Sequence, residues 1–269
     1  MKVSLVQMNA IDNKQVNLKV VNKLIRKIVA VESPRLVVLP ECFDFHGGTT
    51  ETATAEAECF PDGQSYNFLS SIAKELGIYL HAGSIIEKFD GKIYNSTVVF
   101  DPLGSEVARY RKIHLFDIET PDGVIYKESD TYDRGDQIIT YEIDGVRFGC
   151  TICYDIRFPE LYAELVKKGA EVIVIPAAFT KQTGEAHWEL LCRARAIETQ
   201  TYVLACGTTG THVEDGEDRY TYGNSMIVDP WGKILIRADH EVCTVTSTID
   251  LNYVSEVREK LPAINHHVL

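Results

Sequence analysis

A carboxylate, an ammonium group and a thiol stand at comparable places in this chain. Glu41, Lys112 and Cys153 each fall just past the end of a segment that reads as a β-strand. In an open α/β sheet such strand ends converge on the ligand crevice. The three groups together make a working set for acyl transfer. Cys153 would be the nucleophile, and Glu41 the base that takes its proton and later returns it to a leaving amine. Lys112, kept charged beside Glu41, would favour the thiolate. It would also stabilise a tetrahedral oxyanion together with the Tyr154 backbone N–H.

The setting of Cys153 is the most informative of the three. Val146, Phe148, Cys150 and Ile152 alternate on one face of a strand, with Arg147, Gly149, Thr151 and Cys153 on the other. Phe158, Leu161, Tyr162 and Leu165 then take helical spacing, and Pro159 suits a first helical turn, where no N–H is needed. The period changes just after Cys153, as at a nucleophile elbow. Free backbone N–H groups at such a turn are expected to lower the thiol pKa and to bind an oxyanion.

Each residue also has a plainer reading. Buried cysteines are commonly small hydrophobes. Glu41 could cap a loop, and Lys112 could be one more charge in the RYRK cluster. Only the conjunction favours catalysis. Two rival constellations are present. Cys150 and Cys153 form a C-x-x-C, but odd spacing on a strand sends the two side chains to opposite faces, and no second pair completes a zinc cluster. A Cys–His dyad using His114 or His187 is the other, histidine being the usual base for a thiol.

The elements that must position these groups follow from periodicity. Strands are expected at 3–8, 36–40, 78–84, 93–100, 105–111, 138–143, 146–152, 171–176, 201–206, 224–229, 233–237 and 242–249. Helices are expected at 14–30, 65–76, 157–168, 185–199 and 251–260. Residues 44–63 read as a surface loop. The stretch 113–136, bearing Pro121, Gly123 and Gly135, reads as a long irregular loop of functional character. Strands interleaved with helices, then clustered strands, predict an α/β fold with mixed sheets. Each sheet is covered by helices on one side, so that two sheets pack face to face.

A chain of 269 residues can bury a sizeable core without staples, and residues 1–269 are taken as a single domain. A net charge of −12 argues against nucleic acid or an anionic membrane surface as a partner. An anionic substrate would therefore need a local cation. The seven cysteines form no regular framework, the N-terminus lacks an apolar leader, and no run is long enough to span a membrane. Reduced thiols in a cytoplasmic protein are expected.

Four stretches bring a resemblance into view. LPECF at 39–43, YRKIHLFDI at 110–118, CYDIRFPELY at 153–162 and GEAHWELLCRARAIETQ at 184–200 resemble the signature regions of the nitrilase superfamily of carbon–nitrogen hydrolases. The likeness runs from Met1 to about Pro262 and includes YNSTVVFDPLG and YGNSMIVDPWG. It implies a four-layer α-β-β-α sandwich, usually paired through a helical face into homodimers or higher homo-oligomers. It implies a catalytic Glu41–Lys112–Cys153 triad, a thioester intermediate and Glu128 as an orienting partner. No metal or organic cofactor is required. CYDxRFPEL with AHWELLxRARAIE is most similar to the ω-amidases of 2-oxo acids and the deaminated-glutathione amidases. Both act on small-molecule amides presenting a 2-oxoglutaryl end. Arg157 then matches the carboxylate-binding arginine, and Phe179 and Thr183, in the loop after strand 171–176, match pocket positions beside Tyr154. The plainer reading of Arg157 is an ion pair with Asp155 or Glu160. Two departures are visible: Glu185 stands where proline is usual, and the NHHVL terminus lacks an arginine- and tyrosine-bearing tail. A nitrilase, an N-carbamoyl amine hydrolase or a catalytically silent binding protein on the same scaffold are the alternatives.

Overall fold

A computed structural model describes residues 1–120, 123–266 and 268; Pro121 and the altered tail positions 267 and 269 lie outside it. In chain order the elements begin with β1 (Lys2–Gln7), α1 (Lys14–Glu32), β2 (Leu36–Val38), α2 (Thr50–Ala55), α3 (Gln64–Leu76) and β3 (Tyr79–His81). Next come β4 (Ile85–Phe89), β5 (Lys92–Phe100), β6 (Glu106–Arg111), β7 (Asp117–Glu119), β8 (Ile125–Lys127), β9 (Thr140–Ile143) and β10 (Val146–Cys150). After them stand α4 (Pro159–Lys167), β11 (Val172–Ala177), α5 (Lys181–Thr199), β12 (Tyr202–Gly207), β13 (Thr209–Glu214) and β14 (Glu217–Tyr222). The chain closes with β15 (Met226–Val228), β16 (Ile234–Arg237), β17 (Cys243–Thr248) and α6 (Leu251–Lys260).

Two large mixed sheets form. One runs β17-β1-β2-β3-β5-β4, with β6 also paired to β5; the other runs β16-β15-β12-β11-β10-β9. Each has three parallel strands at its centre, β1, β2 and β3 in one and β10, β11 and β12 in the other. The period-two rule sorts the β1 side chains between two layers. Val3 and Leu5 enter the same buried cluster as Phe148, Cys150, Val172 and Val174 of the facing sheet. Val6 turns the other way, towards Leu18, Val21 and Ile25 of α1 and Leu69 and Ile72 of α3. Beneath the second sheet, Leu161 and Leu165 of α4 and Trp188 and Cys192 of α5 join the inter-sheet cluster. The result is the expected α-β-β-α sandwich.

Differences from the sequence reading are local. The presumed loop 44–63 holds the short helix α2, capped by Thr49. The irregular stretch 113–136 contains the β7–β8 ribbon. Two further strand pairings were not expected: β4 against β5, and β13 against β14. Helix α5 starts at Lys181, so Thr183 belongs to its first turn rather than to the preceding loop; the Thr180 side chain caps it.

Candidate active site

Glu41, Lys112, Glu128 and Cys153 meet in one buried cavity of about 450 Å³. Glu41 follows β2 by three residues and is almost wholly buried. Its Oε1 accepts from Lys112 Nζ at 3.0 Å and from Asn95 Nδ2 at 2.9 Å. Its Oε2 accepts from the Ala178 N–H, at the end of β11, at 2.7 Å. Lys112 follows β6 directly, and its ammonium donates to both oxygens of Glu128, at 2.9 and 2.8 Å. Glu128, just past β8, also accepts from the Phe116 N–H at 2.6 Å and from Asn95 Nδ2 at 3.2 Å. One ammonium thus lies between two carboxylates, and the Asn95 amide bridges the same pair. Sequence reasoning missed Asn95: a lone asparagine inside YNSTVVF carries no spacing signal, although its strand was recognised.

Cys153 sits at the turn. Its φ of +46° is a left-handed value that L-residues rarely adopt, as expected of an elbow. A 3₁₀ turn over Cys153–Arg157 follows before α4 begins at Pro159. Asp155 fixes that turn from within. Fully buried, it accepts from the Ile152 N–H at 2.8 Å, the Tyr110 hydroxyl at 2.7 Å, the His114 N–H at 3.1 Å and His114 Nδ1 at 2.7 Å. The His114 ring also stacks on Phe158 at 3.7 Å. His114 is therefore engaged by Asp155, and His187 lies against Arg157 at 3.4 Å. Neither lines the cavity, so the Cys–His dyad finds no support in this geometry.

The electrostatics correct one expectation. Backbone N–H groups and Lys112 were expected to lower the Cys153 pKa. Lys112 and the Ala178 N–H do pull it down, but burial, the Glu41 charge and a hydrogen bond to Glu41 outweigh them and push the thiol well up. At rest the sulfur is a protonated thiol on a carboxylate, so deprotonation needs a base. Burial alone would lower Lys112; the charges of Glu128 and Glu41 reverse this and hold the ammonium charged. Glu128 is raised by burial, against the pull of Lys112.

The remaining predicted residues fall around this core. Tyr154, Phe179 and Thr183 line the cavity. Phe179 packs on Trp188 with centroids 4.7 Å apart. Arg157 is not among the lining residues; its guanidinium lies over the Tyr154 ring at 5.8 Å and over the Phe179 ring at 5.4 Å. Among the described residues it makes no ion pair, with Asp155, Glu160 or any other carboxylate. Glu185 is exposed and outside the cavity lining. The outer wall comes from parts the sequence did not flag: His46 to Thr50 after the Glu41 loop, and the β13–β14 hairpin with His212, Glu214 and Arg219. All seven cysteines are free, and no group of histidine, cysteine and carboxylate side chains is placed to hold a metal among the described residues.

Comparisons with known proteins agree with this geometry. The sequence pattern of the carbon-nitrogen hydrolase family matches residues 2–259. The omega-amidase NIT2 of Xenopus tropicalis is 43% identical over 97% of this chain and 92% of that protein. The omega-amidase NIT2 of Homo sapiens is 40% identical over 97% of this chain and 92% of that protein. The crystal structure of Saccharomyces cerevisiae Nit3, a member of branch 10 of the nitrilase superfamily, has a TM-score of 0.87 at 33% identity, over 97% of this chain and 94% of that one. The C. elegans NitFhit protein has a TM-score of 0.89 at 34% identity, over 99% of this chain and 65% of that one.

Proposed function

The chain belongs to the carbon–nitrogen hydrolase family and is an amidase of the omega-amidase type; from that premise we propose that it cleaves the amide of a small 2-oxo dicarboxylate through a thioester on Cys153. The observation that carries the proposal is the Glu41 carboxylate, held by Lys112 and the Ala178 N–H and sharing one cavity with the Cys153 thiol, whose protonation its charge favours.

The chemistry follows from that contact. Glu41 takes the thiol proton as sulfur attacks the amide carbon, so the raised thiol pKa is overcome only when the nucleophile is used. Negative charge then builds on the carbonyl oxygen. In this proposal the Lys112 ammonium and the Tyr154 N–H, in the first turn after the elbow, meet it. Collapse of this intermediate expels the amine, to which Glu41 returns the proton. Water, activated by the same carboxylate, then hydrolyses the thioester. The balance is amide plus water giving carboxylate plus the amine in its ammonium form. Glu128 and Asn95 hold Lys112 and Glu41 in place throughout.

Arg157 is assigned to the carboxylate of the acyl group. Its guanidinium has no ion pair among the described residues; as proposed, it turns from His187 Nδ1, 3.4 Å away, past two rings that line the cavity into a bidentate contact. A homodimer in the cytoplasm, its thiols reduced, belongs to the same proposal.

Incubation with 2-oxoglutaramate should release ammonia and leave a mass adduct of the acyl group on Cys153. Cys153→Ala should abolish both. Near-normal turnover by Glu41→Gln would refute the assigned base. Arg157→Ala should weaken anionic amides by more than ~10-fold relative to neutral ones, the size of a charge-assisted hydrogen bond; equal losses would refute its role. Nitriles and carbamoyl amines in the same panel rank the alternatives.

A further inference from the structure

The segment that carries the catalytic base is held from behind by a buried ionic cluster that the chemistry does not use. From Glu41 the chain runs through Cys42, whose φ of +53° is a left-handed value that strains an L-residue, and on to residues 45–50 of the cavity wall. The restraints on it come from outside the cavity. The Cys42 N–H donates to Ser84 Oγ at 2.9 Å, and the His46 N–H to the Ile11 carbonyl at 3.1 Å. Between them stands Asp44, which is not a lining residue. Its carbonyl accepts from Asn17 Nδ2 of α1 at 2.9 Å, and its carboxyl accepts from the Ser65 hydroxyl, in the first turn of α3, at 2.7 Å.

Asp44 is the poorly matched member of this set. It is 1% exposed, and its Oδ1 has no hydrogen-bond partner among the described residues. Lys14 of α1 lies 3.8 Å from Oδ2, too far for a hydrogen bond. That ammonium is spent elsewhere: on the Glu56 carbonyl at 2.8 Å, Glu58 Oε1 at 3.0 Å and the Glu56 carboxylate at 3.0 Å. Glu58 in turn accepts the Ser65 and Tyr66 N–H groups that open α3, at 2.8 and 3.2 Å. A third charge in this cluster would have the Ser65 hydroxyl as its one side-chain donor. Carboxylates crowded around one cation do not all stay ionised, and the most enclosed and least bonded keeps its proton. A neutral carboxyl fits the contact, with Oδ2–H donating to Ser65 Oγ instead of accepting from it. Burial raises Asp44 from 3.8 to about 7; Glu58 adds to the rise, and Lys14 and Ser65 oppose it.

We infer that Asp44 is a positioning residue for Glu41, a latch that holds the 41–50 segment against α1 and α3 while its carboxyl is neutral and loosens when the carboxyl ionises. Its effect on turnover rests on the amidase reading above, whereas the latch itself can be read without substrate.

Linkage gives the sign. Opened to water, Asp44 ionises above 3.8; in place it keeps its proton up to about 7. Between these values opening of the segment releases a proton, so opening grows by up to ~10-fold per pH unit. Above about 7 both forms are ionised and the growth stops. Other groups act on the same segment. His46 and the stacked His212 work in the opposite direction, since burial holds them to about 4 and about 3 and opening lets them take up a proton below 6.5. Lys14 keeps its charge and Cys42, which feels the Asp44 charge, keeps its proton throughout this range. Glu56 and Glu58 are the carboxylates already paired with Lys14. A ratio to a variant that lacks only the Asp44 titration cancels these contributions.

Asp44→Asn is that variant: its amide keeps a donor for Ser65 and cannot ionise. Hydrogen exchange of the Cys42, His46 and Gly48 amides, the last bonded to the Val213 carbonyl at 2.8 Å, reports opening of the segment once corrected for the intrinsic rate. From pH 5 to pH 8.5 the ratio of wild-type to variant opening should climb by up to ~10-fold per pH unit and level off near pH 7. The variant-to-wild-type ratio of kcat on 2-oxoglutaramate should rise over the same interval with KM little moved, because the reacting carboxylate is what the latch holds. A flat exchange ratio overturns the latch. A climbing exchange ratio with a flat kcat ratio overturns the positioning of Glu41. Should Asp44→Asn not fold, Ser65→Ala takes its place. It removes a hydrogen bond that favours the charged form, so the levelling moves to higher pH, and a levelling that stays put overturns the latch. A wild type that shows the exchange pattern but hydrolyses no amide overturns the amidase reading and leaves the latch standing.

Discussion

Burial and the Glu41 charge hold the Cys153 thiol protonated, while Glu128 and that same Glu41 carboxylate keep Lys112 an ammonium. The resting site is therefore neutral at sulfur and charged at its two supports. That arrangement makes Lys112 structural as well as catalytic, because among the described residues it alone pairs with Glu41 and Glu128 in a buried setting. Lys112→Met should cost at least ~10²-fold in kcat, as for loss of an oxyanion donor. It should also destabilise the fold by about 3–5 kcal/mol, since two carboxylates are left without a cation. The double variant Lys112→Met/Glu128→Gln separates the two roles. Denaturant melts should recover part of the lost stability, while turnover stays low; recovery of turnover would remove Lys112 from the chemistry. The triad was legible in the sequence because each member follows a recognisable strand. Asn95 and Asp155 were not, because their work is to accept or donate hydrogen bonds across the fold. Those partners, Glu41 and Glu128 for one and Tyr110 and His114 for the other, are set by packing.

Three two-residue hairpins share one turn chemistry, and they show where element reading stopped. Asp90-Gly91, Asp144-Gly145 and Asp215-Gly216 all have positive φ at both positions, the type I′ signature. The two strands of the β9–β10 hairpin are legible in the sequence, though not their pairing, because apolar residues alternate on both sides of the turn. The β4–β5 and β13–β14 turns carry the same Asp-Gly signal, but β4 is interrupted by the polar Glu87-Lys88 before its last residue, Phe89, and β14 begins Glu217-Asp218-Arg219. With no alternating apolar face, the turn signal alone was passed over. The omission matters, because β13–β14 supplies the outer cavity wall. That hairpin is docked on α5 through Gly184, where an added Cβ would lie 2.3 Å from the Tyr222 ring. On helix propensity Gly184→Ala should gain roughly 1 kcal/mol. Overpacking costs about 1–3 kcal/mol and acts against Cβ and Cγ of Tyr222, the root of a side chain that moves only with its strand, so net destabilisation is expected. Urea melts check this; a stabilised variant would show that the hairpin is not held by this contact.

At the scale of the whole molecule, alternating strands and one-sided helices specified a sandwich, but not what crosses between its sheets. His81 of β3 meets Tyr141 of β9 across that seam, its Nδ1 3.0 Å from the tyrosine hydroxyl. Burial lowers His81 to about 3, against 6.5 when exposed. The folded protein therefore refuses a proton that the unfolded chain accepts. Stability from this residue is complete above pH 6.5 and is lost as pH falls through the interval down to about 3, at up to about 1.4 kcal/mol per pH unit. His46 and His212 act in the same direction. Asp44 acts in the opposite one: burial raises it to about 7, so its contribution grows as pH falls below that value. The total slope mixes signs, whereas a difference between variants does not. His81→Gln can keep a hydrogen bond to Tyr141 and cannot titrate. Urea melts of both proteins between pH 6.5 and pH 4 should give lines that converge on acidification, the wild type losing stability faster by about 1.4 kcal/mol per unit. Parallel lines would mean that His81 carries its proton equally well folded, and that the seam between the sheets is wetter than its packing shows.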